Sequence, residues 1–316
     1  MHKLIRNIGQ MDVTGDVGYI TRRSSINELA EQLDFNLSHN KVGLINPGNL
    51  VLLFNDNKEI YQGVVISDNA QGKNSIEYHA MDYAFYLNKN EDIYQFNTTA
   101  SDAIRTICQG YGIPIGYIVS IPTKIKKILS GTLSDIIKEI LELAEKDQGI
   151  KYTMEMIANK FYIEKKIDKV IKLTTNLFGT NLDITKFIAN PSRTRSIENM
   201  KNSIQIIQSG EESFKVITTA RDYSLIERYG WLQQNYEIDE KDIAKAKNIA
   251  NNMLKDLGKI FEDTSFELPG HDDARAGRIL ELSESFTGMS GRYLIKDCTH
   301  NIANGIHKMQ LGLELI

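Results

Sequence analysis

The chain has 316 residues, 41% apolar and 25% charged, with a formal net charge of −4. That length accommodates two or three domains with cores of their own, and the composition excludes a disordered or fibrous chain. The mild acidity argues against a broad nucleic-acid surface, and no apolar run approaches the roughly 20 residues that span a membrane. The opening Met1-His-Lys-Leu-Ile-Arg-Asn is basic but lacks an apolar stretch, so neither a secretory signal nor a membrane anchor is expected. Cys108 and Cys298 are expected as free buried thiols.

In chain order, residues 1–20 hold a leading strand. Ser25-Ile-Asn-Glu28 matches a capping box, but Leu33, Phe35 and Leu37 alternate strictly, so strand is expected from about Leu29. Strands follow over 49–54, 60–68 and 75–82. Thr98-Thr99 then caps a helix with Ala103, Ile104, Ile107, Cys108 and Tyr111 at helical spacing, ended by Gly110 and Gly112. Thr132 and Asp135 open a second helix on Ile136, Ile137, Ile140, Leu141 and Ala144, which Gly149 stops. Strands over 151–156 and 160–164 complete this part. A linker is expected over 176–188, then a hairpin of Ile197–Ile207 and Phe214–Ala220 about Gln208-Ser-Gly-Glu211. Asp239 caps a long helix, about 239–257, with Ile243, Ala246, Ala250, Met253, Leu254 and Leu257 as its stripe and Gly258 as its stop. Its other face carries Lys241, Lys245, Lys247 and Lys255, read as solvated.

The last fifty residues alternate apolar and polar again, with glycine punctuation. They echo an earlier stretch. Gly48 precedes Leu50, Val51 and Leu53, with Gly63 following; Gly277 precedes Ile279, Leu280 and Leu282, with Gly291 following. Ala80-Met-Asp82-Tyr83 and Ala220-Arg-Asp222-Tyr223 form a second echo. The expectation is an α+β chain with two related β-modules, 1–92 and 176–316, an α/β insert over 93–175, and the long helix within the second module.

No catalytic, cofactor-binding or metal site is expected. There is no phosphate loop and no nucleophile elbow. His271-Asp272-Asp273 lie consecutively in one turn, and His300 and His307, placed to face each other across a hairpin, lack a third ligand. Cys108 sits on an apolar stripe rather than beside a base. Glu211-Glu212 read as turn residues, and Trp231, the single tryptophan, reads as a packing residue rather than a sugar platform.

The order of motifs resembles a known family. It comprises Ala80-x-Asp82-Tyr83-x-x-Tyr86-Leu87, Thr98-Thr-Ala-Ser-Asp102, Leu268-Pro-Gly270, Gly277, Gly291-x-Tyr293-x-Ile295, Thr299-His300 and Met309-x-Leu311. It is similar to the baseplate hub proteins of contractile phage tails and phage-tail-like bacteriocins, and in plan to the hub part of type VI secretion spike proteins. The resemblance implies two small β-barrels per chain and a non-enzymatic homotrimer. Such a trimer joins the hexameric tail tube to a trimeric central spike among other baseplate proteins. It also implies no specific nucleic-acid binding, assembly in the bacterial cytoplasm and release within the tail particle. Segments 49–66 and 277–295 would then face the tube or neighbouring subunits, and puncturing or wall cutting would belong to other proteins. The alternative is a tail-associated protein that binds or degrades the cell wall.

Overall fold

A computed structural model describes residues 1–38, 44–71, 75–166, 169–177, 180–209, 213–238, 243–244 and 246–316. Contacts gather it into two compact units, Met1–Pro191 with Ser265–Ile316, and Ser192–Thr264.

The first unit opens with β1 (His2–Arg6), β2 (Met11–Asp12), β3 (Val17–Ser25), β4 (Glu28–Ser38), β5 (Leu50–Asn55), β6 (Lys58–Gln71) and β7 (Ser75–Met81). Leu33, Phe35 and Leu37 are fully buried on one face of β4, as strand alternation requires. Ile26 and Asn27 form the turn between β3 and β4, so the alternation prevails over the capping box. These strands wrap a core of Leu4, Leu53, Tyr61 and Val65, with Phe35 stacked on Tyr78 at 5.0 Å between ring centres.

Next come α1 (Ala84–Lys89), β8 (Glu91–Gln95), β9 (Thr98–Thr99), α2 (Ala100–Gly110), β10 (Ile115–Ile118), β11 (Lys124–Ile125), β12 (Ile128–Thr132), α3 (Leu133–Gln148), β13 (Tyr152–Ile157) and β14 (Lys160–Lys165). The hydroxyls of Thr99 and Thr132 accept from the Asp102 and Asp135 N–H groups at 3.2 Å, which starts both longer helices where the sequence places them. Gly149 ends α3 with a left-handed φ of 68°. The stripes of α2 and α3 bury Ile104, Ile107, Ile136, Ile137 and Ile140 together. Each such side chain contributes about 1.5–3 kcal/mol relative to exposure.

The stretch expected as a linker is instead structured. It forms the hairpin β15 (Thr174–Leu177) and β16 (Thr180–Asp183), and Leu173 and Ile184 are buried at its ends. β17 (Ala189–Ser196) then carries the chain into the second unit.

The second unit holds β18 (Ser203–Ser209), β19 (Phe214–Arg221), α4 (Tyr223–Tyr229), β20 (Gln233–Glu237) and α5 (Ala246–Leu257). β18 lies between β19 and a parallel β20. β18 begins at Ser203 rather than Ile197 because Asn202, fully buried, ties down the loop before it. Asn202 Nδ2 donates to Gly230 O at 2.7 Å, and its Oδ1 accepts from Leu232 N at 2.9 Å. The α5 stripe packs on Ile204 and Ile206. The expected cap Asp239, Lys241, Lys245, Glu211 and Glu212 lie outside the described residues.

The chain returns through β21 (Phe261–Pro269), β22 (Ile279–Glu284), β23 (Met289–Ala303) and β24 (Ile306–Leu315). One twelve-stranded sheet results, ordered β17-β21-β24-β23-β3-β4-β7-β6-β5-β1-β2, with β22 also on β23. Among the described residues no pairing closes it into a barrel; the chain is mostly β with few helices.

Within this sheet the order β3-β4-β7-β6-β5 recurs as β17-β21-β24-β23-β22. Backbone hydrogen bonds match across the copies. Gly48 N and Gly277 N donate to Val65 O and Ile295 O at 2.8 Å, and Val65 N and Ile295 N donate back to Asn49 O and Arg278 O. A bulge follows at once in both, between Val65 and Ser67 and between Ile295 and Asp297. The leading glycines are therefore equivalent, with φ of 90° and 84°. The second glycines are not: Gly63 pairs with Val51, whereas the residue paired with the matching Leu280 is Tyr293. The second unit is inserted between β17 and β21, where the first copy has only the turn at Ile26 and Asn27.

Gly277→Ala meets no neighbour but must hold a left-handed φ, at a cost of about 1–2 kcal/mol. A Cβ at Gly63 would collide with the Tyr61 side chain and Met81 O, so Gly63→Ala is expected to cost more. Urea unfolding midpoints give the order; a Gly277→Ala chain as stable as the parent would refute the shared turn geometry.

Candidate functional site

Across the pairing of β3 with β23, Arg22 lies opposite His300, and both side chains are buried. Arg22 Nη1 donates to Ile60 O and Nη2 to Asp272 O, each at 3.2 Å, while Nε lies 3.4 Å from Glu31 Oε1. His300 Nε2 is 2.9 Å from Ala274 O, and its Nδ1 is 3.0 Å from His307 Nε2. Burial, reinforced by Arg22, holds the His300 imidazole well below its ordinary pKa, and burial with the charge of His2 brings His307 down to about 4. Both rings are thus neutral at neutral pH.

The two histidines face each other across the β23–β24 hairpin, as their spacing suggested. Their further partners come from elsewhere. The turn after Pro269 splits the His271-Asp272-Asp273 run: Asp273 reaches the exposed Lys58, while Asp272 turns inward. Asn55 Nδ2 donates to Asp272 Oδ2 at 2.7 Å, and His2 Nε2 stands 3.6 Å from Asp272 Oδ1. Burial pushes the Asp272 carboxyl up, but His2, Asn55 and Arg22 together hold it well below the usual range. His2 also stacks edge-on against His307 at 4.7 Å between ring centres. Sequence reading missed His2 altogether; only the strand register of β1 places it beside residues 270 positions away.

A second buried group lies around Asp82. Its carboxylate accepts from Glu31 N at 3.1 Å and Ala84 N at 3.0 Å, starting α1 much as Asp222 caps α4 through Leu225 N at 3.0 Å. Burial raises the Asp82 pKa to about 8 against the pull of Arg275. Arg278 makes a two-pronged pair with Glu155, whose carboxyl burial would raise but Arg278 holds below its ordinary value. Glu31, Glu155 and Arg275 border a cavity of about 440 Å³ lined by both signs of charge, with Glu28, Lys138 and Lys169 also on its wall.

Neither thiol is poised for chemistry. Cys108 and Cys298 are free and buried, and burial pushes both up to about 12. Trp231 departs from expectation: it is 59% exposed, with the Arg221 guanidinium 5.4 Å from its ring centre rather than a core around it. In the 277–295 segment the tip of the β22–β23 hairpin presents Phe286, 93% exposed, on a turn fastened by Glu284, whose carboxylate accepts from Thr287 N at 2.9 Å. No helix among the described residues is long and apolar enough to cross a membrane.

The fold is that of prophage tail proteins. It matches the 43 kDa tail protein of prophage MuSo2 from Shewanella oneidensis with a TM-score of 0.73 at 13% identity, over 99% of this chain and 97% of that one. A tail protein of Neisseria meningitidis MC58 matches with a TM-score of 0.70 at 11% identity, over 99% and 96%. A weaker likeness, TM-score 0.54 at 10% identity over 95% of this chain and 74% of the other, reaches the E. coli c3393 protein, a component of the type VI secretion system. The chain belongs to the YQBQ-like family, whose profile matches residues 20–314. The phage-like element PBSX protein XkdQ of Bacillus subtilis is 24% identical over 277 residues, covering 85% of this chain and 82% of XkdQ.

The folded chain holds the Asp82 proton more tightly than the unfolded chain does, since its pKa rises from 3.8 to about 8. The stability this contributes is complete below pH about 4 and drains away as pH climbs to about 8. Asp82→Asn removes that dependence, so its stability relative to the parent should improve between pH 5 and pH 8, roughly the window in which the carboxyl titrates. Urea midpoints at the two pH values test this; a gap that does not change with pH would mean that Asp82 is ionised throughout.

Proposed function

We propose that this chain is a structural hub protein of a contractile-tail baseplate, working as a homotrimer that adapts a six-fold tail tube to a three-fold central spike. The observation that carries the reading is the repeated five-strand order within one sheet. A chain holding two copies of one module presents six similar units when three chains close a ring, which is what joining six-fold to three-fold symmetry requires. In this reading each copy is one small barrel, with residues 93–175 inserted after the first and the second occupying 176–316.

The free edges support self-assembly. Beyond its bulge, β23 is covered by β3 of the same chain. The matching part of β6, Ser67–Ala70, is exposed, and β17, the match of β3, ends the sheet. A second chain could therefore place its β17 on β6 as β3 lies on β23, by strand addition. Segments 49–66 and 277–295 then meet the tube or a neighbouring chain, with Phe286 as an apolar anchor at a hairpin tip. No catalytic role is assigned, and the chain assembles in the bacterial cytoplasm before leaving in the tail particle. The exposed Trp231, Tyr223 and Tyr236 favour a second reading, binding of cell-wall glycan by the second unit.

Light scattering of the chain with and without its spike tests the hub. A species of about 107 kDa, three times 35.8 kDa, is expected, with six-fold modulation in averaged electron micrographs. A chain that stays monomeric or dimeric with spike and tube present, or that sediments with peptidoglycan, would overturn it in favour of the wall-binding reading.

A further inference from the structure

We propose that His2, Asp272 and His307 form a binding site for one first-row divalent cation of the zinc type. One ligand atom from each residue lies within 4.8 Å of the others. His2 Nε2 and Asp272 Oδ1 are closed off from solvent, and neither has a hydrogen-bond partner. Their separation of 3.6 Å is too long for a hydrogen bond. It is close to the ~3.4 Å edge of a tetrahedron of N and O ligands about zinc. Two buried polar atoms, one a carboxylate oxygen, that face each other beyond hydrogen-bond reach are costly, and their charge attraction offsets only part of that cost. A cation between them removes the cost.

The donors suit the ion. Two imidazoles and a carboxylate are a common zinc set, with a fourth position open to water. The surroundings resemble the outer shell of a metal site: Asn55 holds the second oxygen of Asp272, and His300 holds the Nε2 side of His307. Gly270 packs so closely against the His307 ring that a Cβ there would run into it, which fixes the position of the ring. The three ligands stand on β1, on the turn after β21 and on β24, so the ion would clip the leading strand of the early copy to the late one. This inference is independent of the hub reading.

The test uses the full chain, dialysed against a chelator and titrated with Zn²⁺ by calorimetry and with Co²⁺ by visible absorption. One cation per chain is expected, with micromolar or tighter affinity, tetrahedral cobalt bands and a raised thermal midpoint. Asp272→Asn, nearly isosteric, should weaken binding at least tenfold. Gly270→Ala should weaken it by displacing His307 without removing a ligand. His271→Ala should leave it unchanged. Melting each variant in chelator shows that it folds. Absence of stoichiometric binding, binding that survives Asp272→Asn, or binding lost in His271→Ala would each overturn the assignment.

Discussion

The structure depends on the strand β23. It runs 15 residues, pairs with β22 over Met289–Leu294, with β24 from Tyr293 to its end and with β3 over Asp297–Ala303. The single bulge near Lys296 makes these roles compatible. An extra residue reverses which side chains face inward. Before it, Tyr293 and Ile295 fill the late core; beyond it, Cys298, His300 and Ile302 point inward, and Ile302 joins the early core. One strand thereby contributes to both cores in a single register, and a slip of one residue would turn Tyr293 and Ile295 out of the late core and Ile302 out of the early one.

The same pairing brings ionisable groups into the interior. Arg22, Glu31, Asp82 and His300 are all nearly fully buried. Burying such groups is expensive, and the hydrogen bonds and pairings that compensate demand one arrangement of the surrounding strands. Arg22, bonded to Ile60 O and Asp272 O and set opposite His300, adds a second constraint on the register of β3 along β23.

Much of the strand framework was legible because alternation and glycine spacing are local properties. Leu33, Phe35 and Leu37, or Gly48 and Gly277, announce themselves within a few residues. Matching Gly63 with Gly291 was misleading because the two glycines answer different needs. Gly63 makes room for Tyr61 and Met81, while Gly291 adopts a φ of 133°. Helices α1 and α4, of 6 and 7 residues, are too short to show a helical period, although the Asp82 and Asp222 echo marked where each begins. The His2–Asp272–His307 cluster was illegible for a topological reason. Its members come together only once the early and late copies share one sheet, and no spacing within either copy encodes that.

The insertion point of the second unit has a consequence for how such chains diversify. It occupies the place that a two-residue turn occupies in the first copy, between strands hydrogen-bonded as neighbours. Neighbouring strands lie about 4.8 Å apart, so whatever is spliced there must begin and end at nearly the same point. Any module whose own termini meet can occupy that position without changing the register of the sheet, and so can a bare turn. The fold thus carries a socket at which lineages can exchange a whole domain while every strand pairing beneath it is preserved.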